Sequence, residues 1–189
     1  RSGHWHTDHA KGVINGRGVI YFRSVAYANT VLLSSPGSDV LESVILNPCP
    51  NNGVPRYSAR DNKWLYVYNT DVYISTNGKT GWVKQSNKLP HTRGNWFYTT
   101  GLNYFKGVYV LTGGVDSTNS SNRNMVSFWS TSLTGPWNIA SGGGSGDQPG
   151  GSGHDPKQNN LIYGTAMSSQ YLVLGAQYGN IYYTSDGKN

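Results

Sequence analysis

A phrase repeated four times constrains this chain more than any other feature of its sequence. Each copy is a short β-like stretch that ends in a hydroxyl residue and runs into a turn. The hydroxyl residues are Ser34, Ser75, Ser130 and Thr184, which gives steps of 41, 55 and 54 residues. A second β-like stretch precedes each phrase, as in 103–111. A period of this size holds four short strands and their turns, which is typical of one blade of a β-propeller.

The composition favours the same class. The chain has 189 residues with 25 Gly and 14 Tyr, only 13% are charged, and Glu42 is the single glutamate. Helical domains depend on Ala, Leu, Glu and Lys, so a bundle is disfavoured. We predict an all-β, propeller-like fold with four visible blades of about four antiparallel strands, either complete or part of a larger propeller. The predicted bounds are an N-terminal arm at 1–16 and blades at about 17–57, 58–94, 95–157 and 158–189.

The repeated phrase resembles the Asp-box, or BNR, repeat of sialidase-like β-propellers, written SxDxGxTW. The copy from Ser75 to Trp82 keeps both ends and has Asn77 in the acidic position. The resemblance implies a turn closed by side chains rather than a catalytic site. An Asp or Asn side chain accepts hydrogen bonds from backbone amides, glycine supplies a positive φ, and the aromatic residue packs beneath. The predicted turn residues are Ser75, Asn77, Gly78, Trp82, Ser130, Trp137, Thr184, Asp186 and Gly187.

Because the repeats are accounted for by turn chemistry, the first functional expectation is a non-enzymatic structural or recognition module. Asp-box-like propellers of this Asn-, Gly-, Ser- and Tyr-rich style resemble those of phage tails, tail fibres and bacterial surface proteins. This resemblance implies a virion or extracellular surface location, a homo-oligomer or larger assembly with other virion or surface proteins, and a host glycan as ligand.

Two alternatives involve carbohydrate more directly. The first is a fragment of a sialidase-like glycoside hydrolase, since Phe22-Arg23 matches the start of the motif that precedes the first box of that family. Arg56, Arg60, Arg93 and Arg123 are further arginines for a substrate carboxylate, but no pair of catalytic carboxyl-type groups is evident, and no catalytic residue is predicted.

The second alternative is a secreted carbohydrate-binding lectin. Aromatic side chains stack on sugar faces, and polar side chains in neighbouring loops hydrogen-bond to sugar hydroxyls. The predicted glycan-binding residues are Trp96, Tyr98, Tyr104, Tyr178 and Arg23.

A histidine-rich N-terminal segment offers a metal site. On a strand, His4 and His6 point to one face together with Asp8, which suits a metal ion such as Zn or Fe. The competing interpretation is a polar N-terminal arm. No other cofactor is predicted.

Several classes are disfavoured. No apolar run approaches the roughly 20 residues that cross a bilayer, so membrane insertion is not expected. The formal charge of +6 is spread along the chain, which argues against nucleic acid. Cys49 is the only cysteine and forms no intrachain disulfide. The fourth phrase stops before its expected aromatic residue and last strand. We expect either that residues 1–10 supply this strand and close a four-bladed ring, or that further blades complete a larger propeller.

Overall fold

The computed structural model describes residues 9–23, 30–34, 37, 42–45, 54–90, 97–116, 123–141, 162–176 and 181–189. The described residues form fifteen strands and no helix. The strands make four antiparallel sheets, three with four strands and one with three. This architecture confirms the predicted all-β propeller with four visible blades.

Each sheet is a simple up-and-down meander in chain order. Sheet 1 contains β1 (His9–Ile14), β2 (Arg17–Arg23), β3 (Thr30–Ser34) and β4 (Glu42–Ile45). Sheet 2 contains β5 (Arg56–Ser58), β6 (Lys63–Tyr68), β7 (Asp71–Ser75) and β8 (Val83–Lys84). Sheet 3 contains β9 (Phe97–Phe105), β10 (Val108–Asp116), β11 (Arg123–Ser130) and β12 (Asn138–Ile139). Sheet 4 contains β13 (Ile162–Met167), β14 (Leu172–Ala176) and β15 (Ile181–Thr184).

The first strand of each sheet contacts the first strand of the next: β1 lies against β5, β5 against β9 and β9 against β13. These four strands therefore line the propeller axis. We call the end at which they begin the entry face. The opposite end, which carries the turns at 15–16, 59–62 and 106–107, is the turn face.

Three apolar cores lie between consecutive sheets. The core between sheets 1 and 2 is centred on Trp64, which is fully buried. The ring of Tyr21 meets the Trp64 indole edge-on at 5.2 Å, and the indole Nε1 donates to the Val13 carbonyl at 3.1 Å. Leu111 and Phe128 belong to the core between sheets 2 and 3, while Val110 and Leu172 belong to the third core. Successive blades are thus held together mainly by burial of apolar surface.

The segment predicted as an N-terminal arm is corrected in part. Residues 9–14 form β1, which pairs with β2 over its full length from His9↔Phe22 to Ile14↔Arg17. The first sheet therefore begins at His9 rather than near residue 17, and residues 9 and 10 do not form a closing strand of the fourth blade. Gly12 is the reason that the sequence pattern does not predict a strand at residues 9–14. This residue weakens the strand signal but allows the backbone to lie against Trp64.

The hydroxyl turns, meaning 75–80, 130–135 and 184–189, lie at the turn face. In sheet 2, Ser75 Oγ accepts from the amides of Asn77 and Gly78 at 3.2 and 3.0 Å. Asn77 Oδ1 accepts from the amides of Lys79 and Thr80 at 2.9 and 2.8 Å. Gly78 has a φ of 71°, which favours glycine. Side chains therefore take the place of backbone partners in closing this turn.

The turn in sheet 4 has the same arrangement, with the carboxylate of Asp186 in the place of the Asn77 amide. Thr184 Oγ1 accepts from the amides of Asp186 and Gly187 at 3.2 and 2.8 Å. Asp186 Oδ1 accepts from the amides of Lys188 and Asn189 at 2.8 and 3.0 Å. Those amide bonds, Lys188 first, lower the pKa of Asp186 to about 2. The turn in sheet 3 is looser: Ser130 Oγ accepts from the Ser132 amide at 3.1 Å.

Candidate active site

A buried arginine joins the first strands of three blades at the entry face. Arg56 is the first residue of β5 and is only 6% exposed. Its Nη1 donates to the carbonyl of His9, the first residue of β1, at 2.8 Å. Its Nη2 donates to the carbonyl of Thr99 in β9 at 2.6 Å. The guanidinium thus places a fixed positive charge beside the axis, close to the starts of three first strands.

The neighbouring wall of the axis is polar. Thr165 of β13 donates to Asn103 Oδ1 of β9 at 3.3 Å, which links the third and fourth blades. Among the described residues, Thr99 Oγ1 and Asn103 Nδ2 are buried and have no hydrogen-bond partner. Buried polar atoms of this kind pair with water or with a ligand in native proteins. The axis therefore combines a cation with hydroxyl and amide groups, which suits a hydroxylated or anionic ligand.

A second polar cluster lies at the turn face. Asp61, in the turn between β5 and β6, accepts from Ser58 Oγ at 2.6 Å and from the Tyr109 hydroxyl at 2.5 Å. Arg60 of the same turn covers one face of the Tyr104 ring at 4.1 Å. The Tyr104 and Tyr109 rings are 5.0 Å apart. These contacts join the second blade to the third.

The hydrogen bond between Tyr109 and Asp61 affects the pKa of both groups. Burial, followed by the hydrogen bond to Asp61, raises the pKa of Tyr109 to about 12. Burial would also raise the pKa of Asp61, but the bonds from Ser58 and Tyr109 and the charges of nearby cations outweigh it and lower that pKa. The hydrogen bond from the Tyr109 hydroxyl to the Asp61 carboxylate thus ties the third blade to the second.

The four carboxylates whose side chains are described all take part in hydrogen bonds or ion pairs within the protein. Besides Asp61 and Asp186, Glu42 pairs with Lys79 at 2.6 Å, and Asp71 pairs with Lys84 at 2.5 Å. Burial would raise the pKa of Asp71, but the bonds and charges of Lys84 and Lys88 outweigh it and lower that pKa. A general acid at neutral pH needs a raised pKa. The pKa values of Asp61, Asp71 and Asp186 are all lowered instead.

The predicted ligand-binding residues fall mostly outside the described side chains. Tyr104 packs at the turn face, between Arg60 and Tyr109. The backbones of Arg23 and Tyr98 are described, at the end of β2 and near the start of β9. Trp96, Tyr178, His4, His6 and Asp8 lie outside the described residues. Where side chains are described, no group of three or more His, Cys, Asp or Glu is placed to hold a metal ion.

The axial residues were not found from the sequence. Arg56 lies in a three-residue strand with no repeated motif, and its partners are backbone carbonyls from strands 43 to 47 residues away. Only its position just before Tyr57 and Ser58, of which Ser58 is buried and Tyr57 half-buried, could have pointed to a strand.

Comparisons with known proteins identify the fold. No family model matches the chain, and a search of curated proteins gave no match. A family 117 glycoside hydrolase of the marine bacterium Zobellia galactanivorans has a similar structure, with a TM-score of 0.59 and 12% identity. The similarity covers 98% of this chain and 68% of that one.

A Bifidobacterium bifidum protein assigned as an exo-β-1,3-galactanase is also similar, with a TM-score of 0.56 and 11% identity. That similarity covers 85% of this chain and 57% of the other. At these identities the likeness shows a shared β-propeller fold.

These findings correct the first functional expectation. The prediction of a non-enzymatic phage tail or surface module is wrong, because solved structures of the same fold are glycoside hydrolases. The prediction relied on composition and on the lack of a visible pair of catalytic carboxyl groups. Neither feature indicates which residues lie close together at the propeller axis. The Asp-box resemblance, the partners and the location stay predictions. No helix in the described part of the chain is long and apolar enough to cross a bilayer.

Proposed function

We propose that this β-propeller is a glycoside hydrolase that binds its substrate at the entry face of the axis. The observation that carries the proposal is the Arg56 junction, in a fold shared with two glycoside hydrolases. Arg56 holds the first strands of three blades in one arrangement at the entry face. A buried cation at this point would also stabilise the ionised form of a neighbouring carboxylate.

Five aspartates are candidates for the catalytic carboxyl groups. Glycoside hydrolysis commonly uses two carboxyl groups, one as acid and one as base or nucleophile. The sequence has nine acidic residues, of which four are described in structural contacts. The remaining candidates are Asp8, Asp39, Asp116, Asp147 and Asp155.

The candidates differ in how close they lie, along the chain, to the strand ends at the entry face. Asp8 directly precedes His9, whose carbonyl binds Arg56, and Asp116 is the last residue of β10 beside the start of β9. Asp147 and Asp155 belong to the segment that leads into β13. Asp39 belongs to the β3–β4 connection, which joins strands at the turn face. We therefore place Asp8 and Asp116 first and Asp39 last.

The test is release of reducing sugar from β-1,3-galactan and from a fluorogenic sialoside by the purified protein. The galactan is included because of the Bifidobacterium protein. We expect turnover on at least one of these, and a loss of 100-fold or more on replacing either catalytic aspartate by Asn. Asp61→Asn, at the opposite end of the molecule, is the matched control and should retain turnover. Binding of these glycans without hydrolysis would contradict the proposal and favour the lectin alternative.

A further inference from the structure

Asparagine followed by glycine occurs at two places in the described part of the chain, with a similar residue next in each case. Asn15-Gly16 precedes Arg17, and Asn77-Gly78 precedes Lys79. A third pair, Asn52-Gly53, lies outside the described residues. This dipeptide is chemically labile, because glycine has no side chain to hinder attack of its backbone nitrogen on the preceding carboxamide. The structure holds the two described pairs in different ways.

The reaction is an intramolecular deamidation. The backbone nitrogen of the glycine attacks Cγ of the asparagine, so that an N–Cγ bond forms and the Cγ–Nδ2 bond breaks. Nδ2 leaves as ammonia with the proton that the glycine nitrogen loses, and a succinimide ring remains. One water molecule then opens the ring at either carbonyl group to give aspartate or isoaspartate. The reaction therefore needs a glycine nitrogen and a carboxamide that can reach the attack geometry.

At Asn77-Gly78 the hydroxyl turn holds both reacting groups. The Gly78 nitrogen donates to Ser75 Oγ at 3.0 Å, and the Gly78 carbonyl accepts from the Tyr21 hydroxyl at 2.6 Å. Asn77 Oδ1 accepts from two backbone amides, and Asn77 Nδ2 donates to Thr80 Oγ1 at 2.9 Å. Attack of the glycine nitrogen on the carboxamide therefore requires several of these hydrogen bonds to break.

The Asn15-Gly16 pair forms the two-residue turn between β1 and β2, which the Ile14↔Arg17 pairing closes. Both residues have a positive φ, 51° and 75°, as in the type I′ turns that this dipeptide favours. Within the described part of the chain, neither the Asn15 carboxamide nor the Gly16 nitrogen has a hydrogen-bond partner. Asn15 and Asn77 are both exposed, so access of water does not distinguish the two sites.

We propose that Asn15-Gly16 is a site of spontaneous deamidation in the folded protein, whereas the hydroxyl turn protects Asn77-Gly78. The modification replaces a neutral carboxamide at the turn face by a carboxylate. The isoaspartyl product also adds one carbon atom to the main chain of a two-residue turn. That turn keeps β1 in register, and the Val13 carbonyl of β1 accepts from Trp64 Nε1 at 3.1 Å. The isoaspartyl product therefore loosens the packing of the first blade on the second.

The experiment incubates the purified protein in mildly alkaline buffer, folded and, in parallel, unfolded in urea. Peptide mapping by mass spectrometry follows the conversion of carboxamide to carboxylate at each asparagine. In urea we expect Asn15 and Asn77 to react at similar rates, because the residues that follow them are similar. In the folded protein we expect Asn15 to react about 10-fold faster than Asn77 or more, since Asn77 reacts only after several hydrogen bonds have opened.

A substitution in the hydroxyl turn identifies the source of the protection. Ser75→Ala removes the oxygen that accepts from the amides of Asn77 and Gly78. Deamidation of Asn77 should then become faster in the folded protein, and that of Asn15 should not change. Ser130→Ala, at the equivalent position of sheet 3, is the matched control and should change neither rate.

A milder variant covers the case in which Ser75→Ala does not fold. Thr80→Ala removes only the exposed hydroxyl that accepts from Asn77 Nδ2. Deamidation of Asn77 should again become faster, by less than in Ser75→Ala where both variants fold.

The products of the reaction test the effect on packing. Asn15→Asp carries the charge of the modified protein on an ordinary main chain and should keep the Tm of the unmodified protein. The isoaspartyl form, separated by cation exchange, should have a lower Tm than Asn15→Asp. None of these measurements depends on turnover, so they are independent of the proposed enzymatic function.

Three results would overturn the proposal. Equal rates at Asn15 and Asn77 in the folded protein would show that the hydroxyl turn gives no protection. An Asn15 that stays intact in the folded protein while the unfolded chain reacts would show that the hairpin turn itself prevents attack. Equal Tm values for the isoaspartyl form and Asn15→Asp would show that the packing of β1 on Trp64 does not depend on this turn.

Discussion

At the scale of single residues, Arg56 connects stability to the proposed site. Its two hydrogen bonds reach carbonyls of the first and third blades, so removing the guanidinium takes a charged donor away from both acceptors. We expect Arg56→Met to lower the free energy of unfolding by about 3 kcal/mol. The measurement is urea unfolding followed by tryptophan fluorescence. Arg60→Met, which removes an exposed guanidinium from Tyr104, is the control and should cost less than about 1 kcal/mol.

Asp186 makes one turn sensitive to acid. Its folded-state pKa is about 2, below the ordinary 3.8, because the amides of Lys188 and Asn189 bond to the ionised carboxylate. The carboxylate therefore stabilises the fold above pH 4, and this contribution is lost as the pH falls from 4 toward 2. Since the side chain is close to solvent, salt should reduce the effect.

Asn77 provides a control for this effect within the same molecule, because its neutral side chain makes the equivalent amide bonds. We expect Asp186→Asn to weaken the loss of stability between pH 4 and pH 2, and Asn77→Asp to strengthen it. The free energy of unfolding in urea, measured at pH 2, 3, 4 and 6, tests both changes. An unchanged slope in both variants would contradict the assignment.

At the scale of strands and turns, the contact between β1 and Trp64 joins the first blade to the second. A Cβ on Gly12 would lie 2.2 Å from Trp64 Cη2 and 2.7 Å from Tyr57 Cβ, and neither neighbour is a flexible end. We expect Gly12→Ala to cost about 1–3 kcal/mol in the free energy of unfolding.

Gly18→Ala is the matched control for this substitution. Gly18 lies on β2 in the same sheet, is exposed, and has no heavy atom within 4 Å of an added Cβ. This variant should be neutral or slightly stabilising, because alanine restricts the unfolded chain. Equal unfolding midpoints for the two variants in urea would show that β1 does not pack tightly on the second blade.

The strands and turns also show how far the sequence could predict the molecule. The repeated phrase predicted the third strands and the hydroxyl turns, because turn closure depends on residues two or three apart. It did not predict β1, where Gly12 breaks the β-like pattern, or the role of Arg56, whose partners are distant in sequence. A contact between blades cannot be predicted from the sequence when one partner is a backbone carbonyl, because every residue has a backbone carbonyl.

At the scale of the whole molecule, the blades differ in how well they are covered. Trp64 and Leu65 of sheet 2 and Leu111 and Phe128 of sheet 3 are fully buried. Sheet 4 has three described strands, and a group of its large hydrophobic side chains is exposed. This group consists of Met167, Tyr171, Ile181 and Tyr183. Strands with fewer buried apolar contacts open at lower free energy than the global transition.

We therefore expect native-state hydrogen exchange to divide the protein into regions of unequal stability. Backbone amides of β14 and β15 should exchange through a local opening with little dependence on denaturant, whereas those of β6 and β10 should exchange only through global unfolding. Leu174→Ala should speed exchange in sheet 4 and leave the slowest amides of β6 unchanged, because the core of sheets 1 and 2 does not include Leu174. Uniform protection across all four sheets, with the same denaturant dependence, would show instead that the blades unfold as one cooperative unit.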